Sequence, residues 1–367
     1  MLVLGAFSQR MSDHSRFYAC IMAGGSGERF WPMSRASVPK HLLKLFSERT
    51  LLEETVRRVA GVVPAENIFV LTNEAQLPGT RAALEGLVPA EQIIAEPAKR
   101  DTAPAAALAT ALVRARAGEQ ATLALLPADA FIEDQETFRA QLGIAMSDAE
   151  ERHSLITFGV KPTRPSTSFG YLEVGPELAR HQGKFPIRKV TRFVEKPDLT
   201  TAERYVADGI FLWNAGIFVW TVATFLEEAE HSAPELAAFV REFPAADWGG
   251  FLAQRFPVLH KTSVDYAIME KSKRVETLMA KFDWDDVGLW TALPKHLSKD
   301  AAKNSVRGAV VAESATNNIA VSNGRVIALC GVKDLVVVET ADAILVCHRD
   351  AVQDIKKLIG KLPKELL

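Results

Sequence analysis

At 367 residues, with 48% hydrophobic and 24% charged side chains, the chain has the balance of a folded protein and excludes a disordered one. Its 43 Lys and Arg against 45 Asp and Glu leave a net charge of −2, so no global field draws nucleic acid or an anionic membrane. The length suits one large core with a smaller appendage, or two medium domains.

Cys20, Cys330 and Cys347 form no CxxC pair, which is neither a disulfide framework nor a zinc pattern and fits a reducing compartment. The opening apolar run ends at Phe7, too short for the apolar region of a signal peptide. No stretch approaches the roughly twenty apolar residues of a membrane helix. A cytoplasmic protein is expected, with residues 1–16 as an N-terminal extension.

Phe17–Ala23 is a short apolar run ending in glycines, which predicts a buried parallel strand. Thr50-Leu-Leu-Glu53 is a capping box; Leu52, Val56 and Val59 then recur at helical spacing until Gly61. Ile68–Leu71 predicts a second buried strand. Thr102 with Pro104 opens an alanine-rich helix to about Ala117, and Thr122–Leu126 is a third strand stopped by Pro127. Strands alternating with helices predict an α/β fold, a Rossmann-like, mixed but mostly parallel sheet covered by helices on both faces.

After about Arg152 the texture turns β-rich, with Leu155–Val160, Tyr171–Val174, Lys189–Val194 and Gly216–Thr221 expected to extend the same sheet. Beyond Ser305 come Gly308–Val311, Asn318–Val321, Arg325–Leu329, Leu335–Glu339 and Ala343–His348, with a turn at Asn323-Gly324. A closing helix, Asp350–Lys361, would carry Val352, Ile355 and Ile359 on one face. This small β-rich C-terminal tail cannot bury much alone, so it either packs on the larger domain or supplies a homodimer contact.

The most informative segment is Met22–Arg35 with Pro39-Lys40 after it. Gly24, Gly25 and Gly27 directly follow a strand, so backbone N–H groups can approach an anion unobstructed. Arg29 and Lys40 add positive charge there. A tight strand–loop turn would explain the glycines alone, but not the two cations. No Gly-Lys-Ser/Thr follows, so this is not a Walker A loop.

Ala23-Gly24-Gly25-Ser26-Gly27-Glu28-Arg29 with Pro39-Lys40 resembles the signature of the sugar-nucleotide pyrophosphorylases. In the order that family requires follow Glu96-Pro97 with Arg100–Ala105, Pro127-Ala128-Asp129, Phe193–Pro197, Trp213–Phe218, Ser263–Lys271 and Trp284–Gly288. The resemblance, from about Phe17 to about Lys357, is strongest to mannose-1-phosphate guanylyltransferases of the short form without a fused isomerase domain. It implies a catalytic domain over 17–300, its nucleotide lobe reaching about residue 150 and its sugar-phosphate lobe following, and a C-terminal domain over 301–367.

The resemblance implies GTP and mannose-1-phosphate as substrates, GDP-mannose and diphosphate as products, and Mg²⁺, with Mn²⁺ as a substitute, as cofactor. It assigns Arg29, Lys40, Asp129 and Asp286 to catalysis, the two aspartates holding the metal. Residues 23–27, Arg29, Lys40, Arg100 and Thr102 would bind nucleotide, the Thr102 helix start offering N–H donors. Gly170, Tyr171, Glu195, Lys196 and Asn214 would bind sugar phosphate. Read without the resemblance, Asp129 is equally a helix N-cap, Asp283, Asp285 and Asp286 an exposed acidic turn, Glu195-Lys196 a surface pair, and Tyr171 strand packing. Ala130 stands where the family commonly has His, and Asp101 where it has Asn. The rivals are a nucleotidyltransferase for another sugar, such as glucose-1-phosphate, and a non-catalytic regulatory subunit; retention of all four catalytic positions favours an enzyme.

Overall fold

The computed structural model describes residues 16–25 and 27–367, so Ser26 and the expected extension, but for Arg16, lie outside the described residues. Its centre is a nine-stranded mixed sheet in the order β3-β2-β1-β4-β8-β5-β9-β7-β6. The strands are β1 Phe17–Met22, β2 Ile68–Asn73, β3 Ile93–Glu96, β4 Thr122–Pro127, β5 Leu155–Val160, β6 Tyr171–His181, β7 Phe185–Val194, β8 Phe211–Thr221 and β9 Val275–Met279. Pairing is parallel through β3-β2-β1-β4 and again at β5–β9, and antiparallel wherever β6, β7 or β8 takes part. Parallel order therefore predominates only as far as β4.

The first strand explains why helices cover both faces. Tyr18 and Cys20 enter one core with the helix Thr102–Ala117, while Phe17, Ala19 and Ile21 enter another with the helices Leu51–Val59 and Gln135–Arg152. Alternating side chains with no polar side leave no face for water. The helix Leu51–Val59 starts at the predicted box: Glu53 N–H donates to Thr50 Oγ1 at 3.1 Å, and Thr50 N–H to Glu53 Oε2 at 2.7 Å. Such a cap contributes about 1 kcal/mol. In the helix Thr102–Ala117 every residue from Ala103 to Val113 is buried, so its alanines let it lie close against the sheet.

Strands β6, β7 and β8 are longer than their apolar runs. β8 passes straight through Gly216, whose φ of 69° sits beside an irregularity in its pairing with β5. A glycine that looks like a strand start is thus an interior kink.

The C-terminal strands are β10 Ser305–Arg307, β11 Val310–Glu313, β12 Ile319–Val321, β13 Ile327–Cys330, β14 Leu335–Glu339 and β15 Ile344–His348. β10, β12 and β14 pair in parallel, as do β11 and β13, and only β15 returns antiparallel. The chain therefore coils, and Asn323-Gly324 joins strands of different sheets rather than a hairpin. Asn318 ties successive turns together, donating to Asn304 Oδ1 at 2.9 Å and accepting from Leu335 N–H at 2.9 Å. The closing helix is split: a 3-10 turn Arg349–Asp354 precedes a short helix Ile355–Ile359.

This coil packs on the larger domain. Ile319, Val321, Val336, Val338, Val352 and Ile355 share one core with Phe30, Trp31, Leu43, Leu51 and Trp290. Trp31 Nε1–H donates to the carbonyl of Leu366 at 2.9 Å, and Arg35 pairs with Asp342 at 2.9 Å. The glycine segment is thus held from behind by the end of the chain.

Candidate active site

In this sheet order, β2 and β3 lie to one side of β1 and β4 to the other, so the crevice between the carboxyl ends of β1 and β4 is the switch point where open α/β sheets bind ligands. The glycine segment leaves β1 there and Asp129 leaves β4, with Ala128 N–H donating to the carbonyl of Met22 at 3.0 Å. Gly27 has φ 64°, and a Cβ on it would fall 2.3 Å from Lys40 Cβ. Only glycine lets the loop rest on that lysine.

Lys40 is 6% exposed; its ammonium donates to Asp129 Oδ2 at 2.9 Å and to the carbonyl of Asp286 at 2.5 Å, and lies 5.8 Å from the Phe30 ring centre. One buried cation therefore joins the end of β4 to the segment after β9. Arg29, Lys40, Asp129, Asp286 and Gly27 line a cleft of about 350 Å³.

The acidic turn divides its work. Asp283 accepts from the N–H groups of Glu133 and Asp134 at 2.9 and 2.8 Å, and buried Asp285 accepts from Val287 N–H at 2.8 Å and Lys295 at 2.7 Å. Asp286 alone of the three lines the cleft. Burial pushes its carboxyl above the ordinary range, Lys40 opposes this, and Asp285 and Asp129 add to the rise. Val287 is held at φ 45°, where a β-branched residue is strained, and a Cβ on Gly288 would meet Asp286 Oδ2 at 2.7 Å. Asp134, not Asp129, caps the helix that follows β4.

A second cluster lies on the same edge of the sheet. β8 runs antiparallel to β4, with Phe218 opposite Leu125, so Asn214 lies beyond the carboxyl end of β4. Asn214 donates to Asp265 Oδ1 at 3.1 Å and accepts from Thr157 Oγ1 at 2.7 Å. Glu195 pairs with Lys196 at 2.6 Å, Glu195 buried and Lys196 open to solvent. A Cβ on Gly170 would reach within 2.5 Å of Glu195 Oε2, so this glycine makes room for the carboxylate. Asp265, which sequence reasoning passed over within the segment Ser263–Lys271, is pushed up to about 7 by burial and by Glu195. Tyr171 sits differently from the other residues expected at the sugar phosphate. Its ring is fully buried and its hydroxyl accepts from Ser166 N–H at 2.9 Å, so it packs rather than faces a ligand.

The segment after β3 meets this cluster from the side of the glycine loop. Asp101, at φ 70°, accepts from Thr102 N–H at 2.8 Å; Ala103 N–H donates to Thr262 and Thr102 Oγ1 accepts from Val264 N–H at 3.0 Å. These first N–H groups are already partnered, a correction to the expectation of free donors at that helix start. Arg100 Nε is buried without a partner among the described residues. Glu96 Oε2 lies 3.7 Å from where a Cβ on Gly24 would sit, and its carboxyl is pushed up to about 8 by burial and by Asp101. Glu96 stands in the stretch that resembles the base-binding segment of the guanylyltransferases, but the resemblance gave base contacts only to Arg100 and Thr102.

The nucleotidyl transferase model matches residues 18–303, and the MannoseP isomerase/GMP-like beta-helix domain matches residues 308–362. The chain belongs to the nucleotidyl transferase family. Mannose-1-phosphate guanylyltransferase of Escherichia coli K12 is 38% identical over 355 residues, 95% of this chain and 74% of that protein. Xanthan biosynthesis protein XanB of Xanthomonas campestris pv. campestris is 36% identical, over 93% of this chain and 72% of its own. A crystal structure of a mannose-1-phosphate geranyltransferase from Thermus thermophilus superposes with a TM-score of 0.85 at 34% identity, covering 94% of this chain and 99% of that one.

Nucleotidyl transferases of this family generally use a divalent metal. Asp129 and Asp286 fit one: both are hard oxygen donors lining the cleft, and Asp286 is desolvated beside like charge that a cation would relieve. Among the described residues no three or more His, Cys, Asp or Glu side chains converge as a metal cage. Two carboxylates leave the rest of such an ion's shell to phosphates and water. No helix among the described residues is long and apolar enough to cross a membrane.

Proposed function

We propose that this nucleotidyl transferase is a mannose-1-phosphate guanylyltransferase, joining GTP and α-D-mannose 1-phosphate into GDP-mannose and diphosphate. The observation that carries the reading is the pairing of two anion sites on one edge of the sheet: the Arg29–Lys40 cleft, and the Glu195–Lys196–Asn214–Asp265 cluster. The name of the Escherichia coli relative, a mannose-1-phosphate guanylyltransferase, suggests the pair of substrates.

In this mechanism the glycine loop and Arg29 hold the triphosphate over the switch point. Lys196 holds the sugar's phosphate as a point charge, and Glu195 with Asn214 takes the sugar hydroxyls. A phosphate oxygen of mannose-1-phosphate attacks the α-phosphorus in line; the bond to the bridging oxygen breaks, and diphosphate leaves with that electron pair. Lys40 and Arg29 face the charge that develops on the leaving group. Mg²⁺, with Mn²⁺ as substitute, held by Asp129 and Asp286, would supply Lewis-acid stabilisation of the phosphates. The loop and the sugar cluster supply alignment, which converts a collision of two anions into a step within one complex.

Glu96 supports guanine as the base. Burial favours a protonated Glu96 in the free protein, and two donors aimed at it favour the carboxylate. That carboxylate can then accept from N1–H and the N2 amino group together, donors that adenine does not present in that pattern. Diphosphate release across a grid of nucleoside triphosphates and sugar-1-phosphates tests the reading, with GTP and mannose-1-phosphate expected to give the highest kcat/KM. Glu96→Gln should lower the preference for GTP over ATP by about tenfold or more. A grid that peaks on another pair would overturn the assignment.

Gly170→Ala gives a test of the sugar side. The new methyl must displace Glu195, so KM for mannose-1-phosphate should rise about tenfold while GTP binding to the free enzyme is unchanged. The crowding should cost about 1–3 kcal/mol of stability. Wild-type sugar kinetics together with a normal melting temperature would remove Glu195 from the sugar site.

A further inference from the structure

The short helix Ile355–Ile359 lies against the 3-10 turn Glu28–Phe30, and its Lys356 is one of the side chains lining the phosphate cleft, with Arg29, Lys40, Asp129 and Asp286. The geometry points to Lys356 as a diphosphate-binding residue contributed by the C-terminal domain, which makes that domain part of the active site. This inference rests on the proposed nucleotidyl transfer for its substrate, and on the cleft itself for its chemistry.

Three observations support it. First, Lys356 is placed rather than loose: Val352 and Ile355 on the same segment are buried in one core with Phe30 and Trp31. The Arg35–Asp342 pair and the Trp31–Leu366 hydrogen bond tie the chain before and after this segment to the stretch that follows the glycine loop. Second, Lys356 is uncommitted. Its neighbour Lys357 is paired with Asp354 at 2.7 Å, whereas Lys356 has no acidic partner among the described residues.

Third, the cleft is short of free cations. Lys40 is already engaged by Asp129 and by the carbonyl of Asp286, so among the described residues lining the cleft only Arg29 and Lys356 remain as cations to meet a polyanion. Without Lys356, the cleft opposes Arg29 and Lys40 to Glu28, Asp129 and Asp286; with it, the charges balance. A compact ammonium on a flexible stem suits a leaving group that must be bound during transfer and released after it.

Calorimetry with inorganic diphosphate and Mg²⁺ on the full chain tests this directly, beside steady-state kinetics in GTP. Lys356→Ala should weaken diphosphate binding and raise KM for GTP by about 10- to 100-fold, the range of one charge-assisted contact. Lys356→Arg should restore part of both, and Lys357→Ala should leave both unchanged. Since Lys356 is exposed, the melting temperature of the variants should match that of wild type. Diphosphate binding that Lys356→Ala leaves intact, or a wild type that binds no diphosphate, would overturn the inference. A wild type that binds diphosphate through Lys356 yet turns over no pair in the substrate grid would uphold it while sinking the proposed reaction.

Discussion

Lys40→Met should lower kcat/KM by about 10²- to 10³-fold, the usual consequence of losing a charged group aimed at the reacting phosphates. Methionine keeps the unbranched apolar stem, so the approach of Gly27 to that stem survives, while the cation over the Phe30 ring is lost. What disappears is the ammonium, with its bonds to Asp129 and to the carbonyl of Asp286. The end of β4 and the segment after β9 then lose their common tie, and two carboxylates face one another across the cleft. Asp129 is 42% exposed at its side chain, so water can take over part of the lost partner's role and the melting temperature should change little. Steady-state kinetics and thermal melting decide the matter. Normal kinetics with normal nucleotide affinity would show that Lys40 does not belong to the chemistry.

Asp286→Asn should lower kcat by about 10²-fold or more, as removal of one of two metal-facing oxygens does in sites of this kind. The stability effect should have the opposite sign. Burial raises the Asp286 carboxyl above its unfolded value, so the folded state binds a proton more readily than the unfolded chain does. Its ionised form therefore disfavours folding above the unfolded pKa, and neutral asparagine removes that term near neutral pH. A lower kcat beside an equal or higher melting temperature is the expected result. The melting comparison belongs in metal-free buffer, where no bound cation offsets the burial of this carboxylate. Unchanged kcat in the variant, with full turnover in EDTA, would exclude Asp286 from metal binding.

What the sequence could tell followed the range of its signals. The Thr50–Glu53 box, the alanine-rich helix and the apolar strands are local, and each formed where composition and spacing placed it. The C-terminal coil was legible only as short alternating runs, because alternation assigns a face to each residue but does not choose the neighbouring strand. There the parallel partner comes from a later turn, fixed by stacking and by Asn318 rather than by the nearest bend.

The site divides similarly. Its glycines and cations stand in contiguous motifs. Glu96 and Asp265 gain their character from burial beside other carboxylates, which no linear spacing records. Tyr171 erred the other way: its place in a motif suggested a ligand contact, but the strand turns its ring inward. Lys356 lies hundreds of residues from the loop it flanks, and nothing around it in sequence refers to a phosphate.

The bond between Trp31 and Leu366 spans 335 residues, the longest sequence separation of any side-chain contact described above. In a chain made from its N-terminus, the glycine loop emerges more than three hundred residues before the surface that backs it. Helices and neighbouring strands of the first lobe can settle while synthesis continues. Phe30 and Trp31 must wait for Val352 and Ile355 before their side chains leave water. The order of manufacture and the order of completion are therefore reversed at this site. A nascent molecule gains its sheet long before the loop at its edge is backed, and a loss of residues 352–366 is felt first at Phe30 and Trp31.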